Sequence, residues 1–263
     1  MTRLVLVGGG RMGEALLGGL LDAGWATAAE LAVAEVDAGR CRHLAQRFPG
    51  VTVGPEVPEA QGAVVAVKPS DVSAACEAVT AAAIRRVLSI AAGVNLATLE
   101  AALADGTAVV RAMPNTPALV RCGAAAIAGG AAADEDDLAW AETLLGAVGE
   151  VVRVPEGLLD AVTGLSGSGP AYIFLVAEAL IDAGVLVGLP RPVSIRLTVQ
   201  TLLGAATMLA QAEDGPERLR ADVTSPAGTT AAGLRALESA GVRAALLDAV
   251  VAATERSRQL GAG

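Results

Sequence analysis

The chain has 263 residues, enough for one large or two modest domains, and 53% of them are apolar but only 2% aromatic. Alanine, valine and leucine must therefore fill its core. The net charge of −9 argues against nucleic acid as a partner, because phosphate backbones require a basic face. Three widely spaced cysteines, Cys41, Cys76 and Cys122, fit neither a disulfide framework nor a zinc site. They indicate a reducing, cytoplasmic setting and no metal.

The first half of the chain alternates short apolar runs with helical stretches, which is typical of a doubly wound parallel sheet. The predicted strands are Leu4–Val7, Leu31–Ala34, Val51–Val53, Ala63–Val67, Arg86–Ile90, Ala108–Arg111, Ala124–Ala128 and Val151–Val154. The predicted helices are Arg11–Ala23, Asp37–Arg47, Asp71–Ala82, Asn95–Leu103 and Glu135–Ala147, the last with Asp134 as its N-cap. After Pro155 only helical periodicity continues, over Ala171–Val187, Val193–Gln211, Thr229–Ser239 and Val242–Gln259. We expect an α/β domain over residues 1–155 and an all-α domain over residues 156–263.

Several helices of the second half are apolar around much of their circumference, for example at Ile173–Val176. Such helices need burial on most sides. We therefore expect this half to be a dimerisation domain that packs against a second copy of the chain. A self-contained helical bundle on the first domain is the alternative.

The most membrane-like stretch, Ala171–Leu189, contains Glu178 and Asp182 and is barely long enough to span a bilayer. At the N-terminus, Arg3 is followed at once by a predicted strand, so no signal peptide is expected. We interpret the stretch as a buried helix of a soluble protein that does not bind membranes.

A glycine-rich turn, Gly8–Gly13, directly follows the first strand and opens the first helix. In a dinucleotide-binding turn, Gly8 allows the sharp bend and Gly10 admits the pyrophosphate, while Gly13 lets the helix pack close to the strand. The helix then directs free N–H groups at the phosphates. The position of this motif predicts a Rossmann-like domain, although a glycine-rich turn that binds nothing has the same pattern.

Two features near the second strand bear on the choice of cofactor. Glu35 stands where a carboxylate accepts a hydrogen bond from the adenosine 2′-hydroxyl and repels a 2′-phosphate. Arg40 and Arg42 lie nearby, and either can pair with that phosphate instead. The choice between NADH and NADPH stays open.

The chain contains eighteen arginines and one lysine, Lys68, which follows Ala66 and Val67 at the end of the fourth strand. Because ligands of open α/β sheets bind beyond the carboxyl ends of the strands, Lys68 is expected on the ligand side. An ordinary solvent-exposed lysine is the alternative. The single histidine, His43, lies in a predicted helix away from any strand end, which argues against histidine-based catalysis.

Two turns rich in small residues precede helices in the second half: Thr163–Tyr172 and Val223–Thr230. Exposed N–H groups near Gly228, Thr229 and Thr230 would form a site for a carboxylate. Helix capping is the commoner role of Ser and Thr before helices. Together the turns suggest a small anionic substrate held by amides and hydroxyls.

These segments together resemble the pyrroline-5-carboxylate reductases, and the matching motifs run almost from end to end. They are Gly8–Gly13, Ala66–Pro69, Met113–Pro117, Ala161–Tyr172, Gly188–Pro190 and Asp222–Leu234. Thr163–Tyr172 and Val223–Thr230 are the most specific of them. The resemblance implies reduction of 1-pyrroline-5-carboxylate to L-proline by hydride transfer from NADPH or NADH, the last step of proline biosynthesis.

The resemblance also implies roles for individual residues. Thr230 and Glu213 would be catalytic, Thr230 as the hydroxyl at the ring nitrogen. The cofactor would be bound by Gly8, Gly9, Gly10, Arg11, Met12, Gly13, Glu35, Ala66, Val67, Lys68, Pro69, Ala91, Ala92 and Asp222. The substrate would be bound by Glu156, Ser225, Gly228, Thr229 and Thr230. Members of the family pair their helical halves as intertwined homodimers, with a decamer of five dimers as a further assembly.

The chain departs from the family pattern at two positions. Ala227 replaces the first of two glycines that usually follow Ser-Pro in the substrate turn. The added methyl group should be tolerated only if this residue keeps φ below zero, because a methyl group disfavours the left-handed region. Arg11 stands where a small polar residue is more usual, and it could reach the pyrophosphate or the ribose phosphate.

Two other functions share part of this pattern. A hydroxyacid dehydrogenase of similar two-domain architecture requires a lysine in the helical half, where this chain has none. A dinucleotide sensor would bind the cofactor without turning over a substrate.

Overall fold

The structure, a computed structural model, describes residues 1–261. Its strands are β1 (Thr2–Val7), β2 (Leu31–Ala34), β3 (Thr52–Gly54), β4 (Ala60–Val65), β5 (Arg86–Ser89), β6 (Ala108–Met113), β7 (Gly123–Gly129) and β8 (Gly149–Arg153). Its helices are α1 (Arg11–Asp22), α2 (Ala38–Arg47), α3 (Val72–Ala81), α4 (Leu96–Ala102), α5 (Glu135–Gly146), α6 (Leu159–Val162), α7 (Gly169–Leu186), α8 (Arg191–Gln211), α9 (Pro216–Asp222), α10 (Thr229–Ser239) and α11 (Val242–Gly261). Every predicted strand and helix is present, with ends shifted by a few residues. The sequence patterns missed the short helices α6 and α9.

The eight strands form one sheet in the order β3-β2-β1-β4-β5-β6-β7-β8. Neighbouring strands are parallel from β3 to β6, as predicted for a doubly wound fold. However, β7 pairs antiparallel to β6, and β8 then runs parallel to β7. A parallel connection needs a crossover of a dozen or more residues, and the short segment 114–122 between β6 and β7 cannot provide one.

The chain reverses its direction of winding at β1. It leaves β1 for β2 and β3 on one side, and β4 then pairs with the other side of β1. The carboxyl ends of β1 and β4 therefore flank the switch point, where a crevice opens in doubly wound folds. The glycine turn and Ala66 follow these two strands.

Apolar side chains cover both faces of the sheet. On one face, Leu4 and Leu6 of β1 pack with Leu16 and Leu20 of α1 and with Leu144 of α5. The opposite face carries a second cluster that joins β1 and β4 to α3 and α4, formed by Val5, Val7, Val65, Val79 and Leu99. Burial on both faces explains the nearly continuous apolar runs of these strands.

The start of α5 confirms the predicted N-cap. The Asp134 carboxylate accepts a hydrogen bond from the Asp137 backbone N–H at 3.0 Å, and Asp137 accepts one from the Asp134 N–H at 3.1 Å. This reciprocal pair satisfies two N–H groups that the helix itself cannot satisfy. Asp137 is buried and also pairs with Arg86.

The chain divides into two compact units. The first consists of Met1–Ser168 with the C-terminal segment from Val251 onward, where Ser257 donates a hydrogen bond to Asp160 at 2.6 Å. The second consists of Gly169–Val250. The predicted domain boundary between residues 155 and 156 differs from this division and stays a prediction. Residues 262 and 263 of the predicted second domain lie outside the described part of the chain.

The expectation that Ala171–Leu189 is buried is wrong for the single chain. Helix α7 has no buried residue, and Phe174 and Leu175 are 65% and 66% exposed. The reason is that α7 packs beside α8 and leaves its remaining faces uncovered. By length and composition alone, two stretches within residues 1–261 could cross a membrane, Glu156–Leu186 and Arg191–Gln211.

Candidate functional site

The three glycines of the turn have the bend and the surroundings that the sequence predicts. Gly8 has φ of +104°, and a Cβ there would lie 2.6 Å from the Ala66 carbonyl oxygen. A Cβ on Gly13 would lie 2.4 Å from the Gly8 oxygen, so the helix can approach the strand only without a side chain. At Gly10, by contrast, an added Cβ would meet no atom within 4 Å. The turn therefore has no space for a side chain at Gly8 or Gly13, whereas the backbone of Gly10 is open to a ligand.

Helix α1 begins at this open point. Gly10 is its N-cap, and no side chain caps the helix. The first helical hydrogen bond is donated by the Glu14 N–H to the Gly10 oxygen at 2.9 Å. The N–H groups of residues 11–13 therefore have no partner within the helix, and the positive end of the helix dipole is available to an anion.

A groove of about 530 Å³ lies beside the turn. It is lined by Val7, Gly8, Gly10, Ala34, Glu35, Val36, Pro55, Val57, Ala66, Val67, Lys68, Ser70, Asp71, Ala74, Ala75 and Ala78. Its volume and mostly apolar lining are typical of a small-molecule pocket. Six residues predicted to bind the cofactor meet here: Gly8, Gly10, Glu35, Ala66, Val67 and Lys68. The open Gly10 backbone and the uncapped helix end beside the groove fit a dinucleotide pyrophosphate.

The other predicted cofactor residues of this unit lie outside the groove lining. Arg11 faces a separate hollow with His43 and Arg47, and Met12 packs against the core. Pro69 begins a 3₁₀ turn. After β5, Ala91 is buried and Ala92 is exposed. Gly9 belongs to the turn, but its N–H is occupied by Glu35.

Glu35, which lines the groove, is held in place by two backbone hydrogen bonds. Its Oε2 accepts a hydrogen bond from the Gly9 N–H at 2.9 Å, and its Oε1 accepts one from the Asp37 N–H at 2.9 Å. The carboxylate therefore joins the end of β2 to the glycine turn.

Glu14 is the centre of a charged cluster behind the turn. Its carboxylate pairs with Arg40, with Arg47 at 2.8 Å and with the exposed His43 at 3.3 Å. Partial burial alone would raise the pKa of Glu14. Hydrogen bonds from Arg40 and His43, with the Arg47 charge, outweigh burial and hold the pKa of Glu14 below its ordinary value.

Glu156, predicted to bind substrate, has partners within its own unit. Its Oε1 accepts hydrogen bonds from the Leu96 N–H at 2.6 Å and from Arg111 at 2.9 Å. Glu156 thereby satisfies an N–H at the start of α4. The sequence motifs assign no role to Arg111, although a charged residue at a mostly buried position of a strand is a recognisable signal.

The long helix predicted to start at Pro170 is present as α7, which begins at Gly169, but the predicted turn before it is itself helical. Thr163–Gly167 forms a π-helical turn, in which the Ser168 N–H donates to the Thr163 oxygen at 2.8 Å. Small residues are needed because a Cβ on Gly167 would lie 2.7 Å from the Met113 side chain. Asn115 donates to the Ser166 oxygen at 3.0 Å, which joins this turn to the end of β6.

In the second unit, the predicted turn before α10 is present. The Gly228 N–H donates to the Ser225 oxygen at 3.0 Å, and a Cβ on Gly228 would lie 2.3 Å from Ser225 Oγ. Gly228 is the N-cap of α10, and no side chain caps the helix. The N–H groups of Thr229 and Thr230 therefore have no partner within the helix.

Two further predicted residues lie before this turn. Glu213 is exposed between α8 and α9. Asp222 is exposed at the end of α9 and pairs with Arg218 at 3.0 Å. Among residues 1–261, no group of three or more His, Cys, Asp or Glu side chains is placed to hold a metal ion.

Ala227 does not meet the condition for an unstrained methyl group, because its φ is +59°. The turn requires a left-handed residue between Pro226 and Gly228, and the alanine adopts that conformation despite its methyl group. This conformation costs about 1–2 kcal/mol in a residue other than glycine. Strain is thus concentrated beside the predicted carboxylate site.

We expect Ala227→Gly to raise the free energy of unfolding by up to about 1 kcal/mol, because the relief of strain exceeds the added chain entropy. Denaturant unfolding measures the change. The matched control is Ala236→Gly inside α10, which should lower stability by about 1 kcal/mol. A loss of stability in Ala227→Gly would contradict the strain.

We expect Glu14→Gln to lower the free energy of unfolding at neutral pH by about 1–2 kcal/mol, because charged hydrogen bonds are lost. The folded state keeps the pKa of Glu14 below its unfolded value. The stabilisation is therefore complete above about pH 4.3 and is lost as the pH falls through the lower folded-state pKa. Unfolding curves of both proteins between neutral and acidic pH measure this. A difference that does not shrink in acid would contradict the ionic origin.

Models of known protein families match both halves of the chain. A family model described as pyrroline-5-carboxylate reductase dimerisation matches residues 156–260. Another, described as NADP oxidoreductase coenzyme F420-dependent, matches residues 3–93.

Similar sequences and structures cover nearly the whole chain. Pyrroline-5-carboxylate reductases of Synechocystis sp. and Mycobacterium tuberculosis are 43% and 44% identical, over 98% and 99% of this chain and 98% and 97% of theirs. The structure of the Coxiella burnetii reductase has a TM-score of 0.93 at 34% identity and 98% coverage of each chain. The Plasmodium falciparum enzyme, crystallised with NADP bound, has a TM-score of 0.84 at 28% identity, with 99% of this chain and 98% of that one covered. At these identities and full coverage, the chain belongs to the pyrroline-5-carboxylate reductase family.

Proposed function

We propose that the chain reduces 1-pyrroline-5-carboxylate to L-proline with NADPH or NADH, as an enzyme of proline biosynthesis. The observation that carries the proposal is the Gly8–Gly13 turn. It places an uncapped helix N-terminus and an open Gly10 beside the groove at the switch point of the sheet. Family membership supplies the reaction class, and the turn supplies the cofactor site.

The first unit would hold the cofactor. Backbone N–H groups of residues 11–13 would bind the pyrophosphate, and Lys68 would add the one positive charge of the groove lining. Gly9, Pro69, Ala91 and Ala92 would shape the site without lining the groove. When bound, the nicotinamide supplies a hydride to the C=N carbon of the substrate.

The second unit would hold the substrate. The N–H groups of Thr229 and Thr230 would bind its carboxylate at the N-terminus of α10, with Ser225 adding a hydroxyl. Gly228 keeps this turn free of a side chain. The Thr230 hydroxyl would hydrogen-bond the ring nitrogen and stabilise its protonated form. We assign Glu213 and Glu156 to the surroundings of the substrate and Asp222 to the cofactor.

The helical half is a homo-oligomerisation domain by its family match. Large apolar side chains along α7 and α8 are exposed in the single chain, and burial against a second copy would remove them from water. We propose a homodimer formed through these helices, assembled further into a decamer of five dimers. We also propose a cytoplasmic protein that binds neither membrane nor nucleic acid.

The first test is NAD(P)H oxidation at ~340 nm with and without 1-pyrroline-5-carboxylate. We expect Thr230→Ala to lower kcat at least about 100-fold, since it removes a hydrogen bond to the reacting nitrogen. Thr230→Ser retains the hydroxyl and is the matched control, with activity near wild type. Full activity in Thr230→Ala would remove Thr230 from the reaction. Cofactor binding without any substrate-dependent oxidation would contradict the proposed reductase activity and favour a dinucleotide sensor.

The dimer is tested by charging the exposed face of α7. We expect Phe174→Asp to shift the protein to monomers in light scattering, because an aspartate buried in an apolar interface is left unpaired. Val120→Asp, at an exposed residue outside the dimerisation match, is the control and should leave the mass unchanged. An unchanged mass for Phe174→Asp would exclude this face from the interface.

A further inference from the structure

The charges around the glycine turn bear on the choice between NADH and NADPH. The groove lining contains three charged residues, Glu35, Lys68 and Asp71. Two of the three are acidic, and Asp71 also accepts a hydrogen bond from Ser70 at 2.9 Å. A cofactor with an additional phosphate at the adenosine ribose would bring about two negative charges to this lining.

Glu35 cannot easily turn away from such a ligand. Both of its oxygens accept backbone hydrogen bonds at 2.9 Å, one from Gly9 and one from Asp37. Each oxygen of an ionised carboxylate retains a further lone pair for a hydroxyl donor. A ribose 2′-hydroxyl can donate to such an oxygen, whereas a 2′-phosphate can only repel it.

The Arg40 guanidinium already has hydrogen-bond partners outside the groove lining. Its Nε donates to the Gly9 oxygen, and its Nη2 pairs with Glu14 and lies 3.4 Å from the Gly10 oxygen. The guanidinium thus joins α2 to the carbonyl groups of the turn and is absent from the groove lining. Releasing it to bind a phosphate would leave the Glu14 carboxylate without its strongest partner and would remove the Arg40 donor from the Gly9 carbonyl.

The other arginines near the turn, Arg11, Arg42 and Arg47, do not line the groove either. Arg11 faces the hollow that contains His43 and Arg47, and Arg42 is exposed on α2. Lys68 is the one cation of the lining. The lining therefore has no guanidinium to provide the bidentate contact that phosphate groups favour.

We propose that the chain selects NADH over NADPH through Glu35, and that Arg40 is a positioning residue for the glycine turn and does not read the 2′-phosphate. The proposal rests on the cofactor site of the proposed function. It gives different roles to Glu35 and Arg40, which the sequence alone leaves as alternative determinants of cofactor choice. Glu35 determines which cofactor binds, and Arg40 determines how well either one binds.

The test is calorimetric binding of NADH and NADPH, and of 5′-ADP and 2′,5′-ADP, to the full chain without substrate. We expect wild type to bind NADH at least about tenfold more tightly than NADPH, from like-charge repulsion. Glu35→Gln, which keeps an acceptor for Gly9, should reduce the ratio of the two affinities at least about fivefold. Arg40→Gln should weaken both cofactors by similar factors and leave the ratio unchanged. Arg42→Gln is the matched control, with neither affinity changed.

Equal or tighter binding of NADPH by wild type would overturn the proposal, even if a Glu35 variant failed to fold. A selective loss of NADPH or 2′,5′-ADP binding in Arg40→Gln or Arg42→Gln would also overturn it, because it would identify a phosphate reader. Since no substrate is present, these results are independent of turnover. A chain that prefers NADH but does not reduce 1-pyrroline-5-carboxylate would refute the reaction and keep the selectivity.

Discussion

The close approach of Gly8 to the Ala66 carbonyl is the constraint on which the proposed cofactor site depends. It brings the carboxyl ends of β1 and β4 together at the switch point, and a Cβ at Gly8 would lie 2.6 Å from that oxygen. The same turn allows α1 to begin without a capping side chain. Backbone geometry thus produces both the groove and the unpaired N–H groups beside it.

Charged side chains then hold this backbone from two directions. Glu35, at the end of β2, accepts a hydrogen bond from the Gly9 N–H, and Arg40 of α2 donates one to the carbonyl of the same residue. Glu14 neutralises the guanidinium and links it to α1. A turn rich in glycine has little stiffness of its own, so these hydrogen bonds supply the order that cofactor binding would otherwise have to create.

In the helical half, by contrast, large apolar side chains stay exposed to solvent in the single chain. Helix α7 leaves Phe174 and Leu175 about two-thirds exposed. The free energy of burying such side chains, about 1.5–3 kcal/mol each, is available only to an assembly. The same composition explains why α7 and α8 meet the length and hydropathy of membrane spans. A family match to a dimerisation domain gives these apolar faces a partner.

The sequence by itself determined the local structure. Apolar runs and helical periodicity predicted every strand and the long helices, because burial on a sheet or a helix imposes its own period. The patterns missed α9, a short polar helix, and mistook the π-helical Thr163–Gly167 for a turn. In the proposed cofactor site, spacing alone predicted the glycine turn and the position of Glu35.

Only the tertiary structure decided the features that depend on contacts between distant residues. Strand β7 runs opposite to the preceding strands because it pairs antiparallel to β6. Ala227 has a positive φ because the path of its turn requires it. Glu156 accepts a hydrogen bond from Arg111, which is distant from it in the sequence. Arg40 and Arg42 are equal candidates in the sequence, yet only Arg40 meets the glycine turn and Glu14. A sequence pattern records which face a residue occupies, whereas hydrogen-bond partners depend on distances across the folded chain.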